Sequence, residues 1–593
     1  MLPICALIHY NERIKGINQT TMKNKLYLIL LMAAFVHVTA WACHTPQQSA
    51  KLNKMYPDWD FVKMMHKAHN QPYKGYQFNG PAACENGQAD VFACHNVDLL
   101  GHLDLNQIGG GQGSDSWGWK HETSGRYFAL VGRSNGTSFV EITDPANPVY
   151  LGNLPSTNGQ ASAWRDIKTY QDHAFIVADD IEHGMQVFNL TRLLNVQGVQ
   201  TFTPDHLYEG GGFVSAHNIV INEATGFAYL VGGQNNCLGG LHMVNIQNPV
   251  SPQYTACYDA DGYTHDAQCL IYAGPDSDHL GREICFASNE DTVTIVDVTN
   301  KNNPTMLSRT GYNGQQYTHQ GWLTADQKYF LIDDELDELV RRDAGLSDHT
   351  RTYVMDLTDL DNPVLTGYHE ADGVAVDHNQ YIVDGHTYQA NYIRGLRILK
   401  LGDLAAAEMT EVAYFDTYPD PDNTSNFGGA WNVYPFFDNG VVMVSDVNRG
   451  VFILRPNLAE IVDIEAHHSG LWINPDQGGH GLSVDVLPNN QMVIFWYTYD
   501  TQGNQIWLLG AGSYANNLAT LSVNMTRGAL FPPLFNSSDV EFTEWGTFEF
   551  EVSACDAAKF RWTPNPGLGY EAGSLSMVPL ARNAGLSCEQ DSE

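Results

Sequence analysis

The chain has 593 residues, 43% hydrophobic and 17% charged. That globular composition excludes bulk disorder and fits several domains, or one large repeat array with a smaller module. Acidic residues number 67 against 31 basic, a formal net charge of −36, and so acidic a surface repels phosphate backbones and anionic headgroups, which argues against a nucleic-acid partner.

In chain order, residues 1–42 read as an upstream extension and a secretory signal peptide. Met22-Lys23-Asn24-Lys25 is a short basic segment, Leu26–Val38 an apolar one, and Ala40-Trp41-Ala42 a small-x-small cleavage pattern before Cys43. The apolar run is too short to span a bilayer. The mature chain is therefore expected outside the cytoplasm (extracellular, at the cell surface or periplasmic), with no transmembrane helix. A lipid anchor on Cys43 is the alternative, although Ala40 stands where lipoprotein signals usually carry a large aliphatic residue. Residues 43–93 are polar, with a short helix predicted over Asp58–His69, and form an N-terminal extension.

Ten cysteines suit an oxidising compartment. Spacing makes neighbour pairs the simplest expectation: Cys84–Cys94, Cys237–Cys257, Cys269–Cys285 and Cys555–Cys588. No CxxC occurs, so zinc-ribbon and thioredoxin-type sites are excluded.

A strand-plus-turn phrase recurs through residues 94–456. Clear copies begin at Phe139, Leu241, Val293 and Tyr353, and weaker ones at Met185, Leu396 and Val451. Their spacings of 43 to 60 residues match a slightly stretched propeller blade. Asp-x-x-Asn-Pro pieces supply turns, because Asp and Asn bond their own backbone and Pro fixes φ. In the fifth unit, strands are predicted at Gln320–Leu323, Lys328–Ile332, Thr352–Leu357 and Val364–Tyr368. The last unit lacks a fourth strand, and the segment near 96–105 resembles an orphan one. The chain is therefore expected to be all-β, a seven-bladed propeller closed by its N-terminal strand.

The Val-Thr-Ile-Val-Asp phrase at Val293 resembles the LVIVD repeat. The series Cys94–Leu100, Tyr263–Cys269, Tyr317–Trp322 and Tyr388–Tyr392 resembles the choice-of-anchor B family over roughly residues 84–456. The resemblance implies an exported or surface propeller and implies no reaction.

After Pro456 the repeat stops. Residues 457–593 carry alternating strands at Gly481–Leu487, Met492–Tyr499 and Gln505–Gly510, and read as a small antiparallel β-barrel or sandwich. Its opening Gly470-Leu-Trp-Ile-Asn-Pro475 resembles a module appended to many exported bacterial proteins. The aromatics Trp472, Trp496, Tyr497, Tyr499 and Trp507 read as core, with sugar stacking as the rival.

Chemistry concentrates on one propeller face. The residues leading into the inner strands run Trp117, Arg165-Asp166, His217-Asn218, His265-Asp266, His319-Gln320, His378-Asn379 and Trp431-Asn432. Neutral imidazoles at His217, His265, His319 and His378 are candidate ligands for a divalent metal. Asp266, Asp333, Asp334, Glu335 and His386 are candidates for a second shell or ligand face. The rival reading is a structural histidine copied by repeat duplication.

Other motifs fail on context. Gly132-Arg-Ser134-Asn-Gly136 matches the nucleophile elbow, but a strand follows where a helix is required. Asp420–Asn426 alternates oxygen ligands without the Gly and Glu of a calcium loop. The functional expectation is an exported binding module for a protein, peptide or glycan. The alternative is a metal-dependent hydrolase or oxidoreductase using the histidine-lined funnel.

Overall fold

The structure is a computed structural model that describes residues 76–419, 426–458, 462–475, 477–584 and 586. The signal segment, Cys43, the Asp58–His69 helix, most of the Asp420–Asn426 loop and Cys588 lie outside the described residues.

Seven sheets surround one axis, antiparallel except where Gln200–Thr201 adds in parallel to the edge of the first. Their innermost strands are Gly113–His121, Arg165–Tyr170, Asn218–Asn222, Asp266–Ile271, Thr318–Leu323, Asn379–Val383 and Ala430–Tyr434. The fifth blade follows the sequence reading, with strands Thr318–Leu323, Tyr329–Asp334, His349–Asp356 and Val364–Val374. The repeated phrase forms each third strand. In the fourth blade Val293–Asp297 buries its β-branched side chains between neighbouring sheets, the packing such residues favour. The turns form as expected: Asp359 Oδ1 accepts from the backbone N–H groups of Asp361 (2.9 Å) and Asn362 (3.1 Å). A β-bulge recurs between third and fourth strands, at Phe139/Val140, Met243/Val244, Ile295/Val296 and Val354/Met355, which strengthens the twist of each blade.

Val97–Leu103 pairs with Gly450–Pro456 and closes the ring. Gly101 is required there, because a Cβ would lie 2.2 Å from the Pro145 carbonyl oxygen of the first blade. Part of the N-terminal extension is itself sheet. Phe92–His95 pairs with the outer strand Met409–Phe415 of the sixth blade, and Gln88–Ala89 adds beyond it. The N-terminal segment therefore spans two blades, stapled by Cys84–Cys94. Disulfides also join Cys237–Cys257 and Cys269–Cys285, the latter between directly paired strand residues.

The C-terminal module is a closed barrel of eight strands from Gly470–Ile473 to Gly573–Arg582, these two strands pairing with each other. Trp472, Ile494, Trp496, Trp545, Phe548 and Phe560 fill its core. Tyr497, Tyr499 and Trp507 instead face outward and are exposed, so the core reading of the aromatics holds for only part of the set. Among the described residues no helix is long and apolar enough to cross a membrane.

Candidate functional site

Four consecutive inner strands bring His217, His265, His319 and His378 into an arc. Neighbouring ring centroids lie 4.6, 4.1 and 4.4 Å apart, and Trp431 continues the arc 4.5 Å from His378. The same link repeats from blade to blade. Nδ1 of His265 lies 2.9 Å from the His319 carbonyl oxygen, Nδ1 of His319 lies 2.9 Å from that of His378, and Nδ1 of His378 lies 2.6 Å from that of Trp431. A carbonyl only accepts, so each Nδ1 carries the proton and each neutral ring keeps its lone pair on Nε2.

The carboxylate that meets these Nε2 atoms comes from an insertion in the fifth blade. The strand Tyr329–Asp334 runs into a turn and a short helix, Asp337–Asp343, before the third strand. Asp337 and Glu338 at the start of that helix, and Arg341 and Arg342 in its last turn, match the helix dipole. This helix accounts for the longest spacing in the repeat, and the turn before it carries Glu335. Glu335 Oε2 lies 3.7 Å from His319 Nε2, and Glu335 Oε1 lies 4.0 Å from His378 Nε2. These gaps exceed a hydrogen bond, yet the three ligand atoms lie within 4.8 Å of one another. Tyr392 donates its hydroxyl to Glu335 Oε1 at 2.6 Å.

An apolar wall of Trp164, Tyr317, Leu336, Tyr392, Phe427 and Trp431 surrounds the group, and its effect is electrostatic. Burial, followed by the fields of His265, His378 and His217, holds the His319 imidazole well below its ordinary pKa. Burial pushes Glu335 up to about 8, against the Tyr392 hydrogen bond and with a further push from Asp334. Without a cation, the imidazole and the carboxyl are both held neutral at pH 7. Nearby, Asp377 Oδ1 and Oδ2, Glu338 Oε2 and Asp333 Oδ2 are buried with no hydrogen-bond partner among the described residues. Burial and the fields of neighbouring acids push all three carboxyls well above their ordinary values. The residues present therefore fit a divalent transition metal held by two imidazoles and one carboxylate, a donor set such ions take.

The other sequence candidates are placed differently. His217 stands at the end of the arc, its Nδ1 3.3 Å from Asp179 Oδ2, and neither it nor His265 joins the His319–Glu335–His378 group. Asp334 is used structurally, accepting from Tyr312 and from the backbone N–H groups of Gln316 and Tyr317. Asp333 accepts from Gln380 Nε2 at 2.7 Å. The rings are oriented by main-chain carbonyls, so Asp266, Asp333 and Asp334 do not set them. His386 belongs to the opposite end of the sixth blade: it pairs with Val383 across a tight hairpin, whereas Asn379, next to His378, pairs with Ala390. Ser134 sits in the hairpin joining Arg126–Arg133 to Gly136–Glu141, as its context requires.

Deeper in the channel, Asp115, Asp166 and Asp266 gather around Lys168. The Lys168 Nζ lies 2.6 Å from Asp166 Oδ1 and 4.5 Å from the Trp117 ring centroid. Burial drives Asp266 up to about 7, opposed by Lys168. Trp117, Trp322 and Phe436 each pack edge to face on Tyr381, with Phe436 tilted against Trp117. Sequence reasoning named the histidines and Glu335 but missed Tyr392 as a partner. The signal was its position in the Tyr388–Tyr392 phrase, which carries no motif of its own.

No family model and no curated protein matches the chain. Solved structures similar to it include a protein from Lactobacillus plantarum, at 13% identity over 63% of this chain and 90% of that one, with a TM-score of 0.35. A functionally unknown protein from Desulfotomaculum acetoxidans shares 12% identity over 56% and 99% of the two chains, at 0.35. A periplasmic gluconolactonase of Pseudomonas aeruginosa shares 12% over 55% and 99%, also at 0.35. At these values the likeness carries no argument about function, and the assignment of this chain as a seven-bladed propeller with a separate barrel rests on its own strand pairing.

Proposed function

We propose that this chain is an exported propeller of the choice-of-anchor B type that works as a binding module, its funnel face built around a divalent transition metal on His319, Glu335 and His378. The observation that carries the reading is one buried carboxylate facing two imidazole Nε2 atoms at 3.7 and 4.0 Å, with burial holding His319 below and Glu335 above their ordinary pKa values. A metal would draw the three ligands together and ionise Glu335. Burial favours binding over the enzymatic alternative, since His319 is 2% exposed and Glu335 4% and a reacting substrate needs access. The wide, loop-built face then remains for a protein, peptide or glycan partner.

Elemental analysis of protein purified from the periplasm without chelator tests this. About one equivalent of a transition metal is expected, falling to background in His319→Ala and Glu335→Gln. Less than about 0.2 equivalents in the parent protein, or a metal content unchanged in both variants, refutes it.

A further inference from the structure

The barrel carries a feature that the propeller reading does not use. Its interior is packed along most of its length, but at one end a cavity of about 360 Å³ opens among Trp496, Trp545, Trp562, Tyr570, Thr498 and Glu571. That volume lies at the small end of the range for small-molecule sites, roughly 300–1,000 Å³. The aromatic rings meet at angles: Trp496 and Trp562 have centroids 4.8 Å apart at 44°, and Trp545 and Tyr570 are 5.4 Å apart at 60°. The segment between the strands Ala557–Pro564 and Gly573–Arg582 supplies one wall. It turns through Gly567 and Gly569, both at positive φ, and is tied down where Trp562 Nε1 donates to the Glu571 carbonyl oxygen at 2.9 Å.

The three indole N–H groups around the cavity are used unequally. That of Trp562 is taken by Glu571, and that of Trp496 faces His480 Nδ1 at 3.3 Å. The Trp545 side chain is 1% exposed, and its Nε1 is buried with no hydrogen-bond partner among the described residues. The indole faces of all three therefore serve as walls of the cavity.

We propose that this cavity is a saccharide site that takes a neutral pyranose ring. A pyranose presents apolar C–H faces for aromatic walls to cover and hydroxyl edges for polar groups to meet. Here the walls are Trp and Tyr rings, and the polar residues are Thr498, Thr501 and Glu571. A quaternary ammonium would suit an aromatic cage beside a carboxylate, but it has no hydrogen-bonding group for Thr498 or Thr501. An acyl chain would leave every polar group around the cavity unmet. Acidic sugars are disfavoured by Glu571 and by the net charge of −36. The site lies in a different domain from the metal group, and its argument does not depend on it.

The test uses the intact mature chain in saturation-transfer NMR with methyl β-glucopyranoside, methyl β-galactopyranoside, methyl α-mannopyranoside and N-acetylglucosamine as probes. Saturable transfer from at least one is expected. Affinity should fall about tenfold or more in Trp562→Ala and also fall in Thr498→Val, which keeps the shape and removes the hydroxyl. Binding should be unchanged in His319→Ala, which separates this site from the metal group. The proposal is overturned if folded parent protein shows no transfer from any of the four probes, if transfer persists unchanged in both barrel variants, or if only tetramethylammonium binds saturably.

Discussion

Tyr392→Phe isolates one contact of the proposed metal group. Tyr392 is fully buried, and the substitution removes only its hydroxyl, so the ring contacts with His378 at 4.9 Å and Phe427 at 5.4 Å persist. The lost contact is the 2.6 Å hydrogen bond to Glu335 Oε1. Such a bond to a charged acceptor is worth about 1.5–3 kcal/mol, more than a neutral one. Glu335 is neutral without metal and ionised with it, so the bond strengthens on binding and its loss falls mainly on the bound state. Set against the roughly 0.5–1.5 kcal/mol of the neutral bond lost without metal, the difference of about 1–1.5 kcal/mol weakens binding roughly five- to tenfold, at about 1.4 kcal/mol per tenfold. Competition against a chromophoric zinc chelator at pH 7 measures it directly. In the presence of chelator the stability should fall only by the worth of a neutral hydrogen bond, about 0.5–1.5 kcal/mol. The reasoning is refuted if Tyr392→Phe binds zinc as tightly as the parent, or if its stability in chelator falls by more than the worth of that neutral bond.

Stability of the metal-free protein should fall between about pH 6.5 and 9. Burial raises Asp180 to about 9, with Asp179 adding to the shift, raises Asp266 to about 7, and holds Asp115 well above its ordinary value. The folded state then keeps protons that the unfolded chain has released, and stability drops as pH rises. The depressed histidines His102 and His242, each near 4, act oppositely, but only below the unfolded imidazole value of about 6.5. Scanning fluorimetry in chelator that showed a flat or rising midpoint over that window would contradict the assignment. Leu99→Ala, a fully buried position in the closing strand, should cost about 2–5 kcal/mol, and a loss under about 1 kcal/mol by denaturant titration would mean the closure contributes little. Removing the Cys269–Cys285 bridge by paired alanine substitution should cost about 2–5 kcal/mol, and peptide mapping without reductant should recover those two cysteines linked.

The propeller was legible because its signals are local and repeated. A strand such as Val293–Asp297 states itself by its β-branched run, and the following Asn300-Lys-Asn-Asn-Pro304 states the turn. The missing fourth strand at Pro456 and the spare one at Val97 could be matched by count. The barrel was less legible, because alternation marks strands without saying whether the first and last meet. The pairing of Gly470 with Arg582 closes it across more than a hundred residues. The exposure of Tyr497 and Trp507 beside buried Trp496 followed once that closure set which way each residue points.

What the amino-acid sequence determined by itself is the sevenfold repeat, the strand content of each blade, the pairs of neighbouring cysteines and the face on which the histidines gather. These follow from periodicity and burial within about fifty residues. The tertiary structure alone decided the members of each site. It set Glu335 against His319 and His378 by inserting the Asp337–Asp343 helix, brought Tyr392 to that carboxylate from 57 residues away, and sent His386 to the far end of its blade. It also gathered Trp496, Trp545, Trp562 and Tyr570 around one cavity of the barrel. A linear sequence specifies which side chains want burial and which want partners. Which partners they meet depends on the rotation between blades and the closure of the barrel, and those are set by packing the whole chain at once.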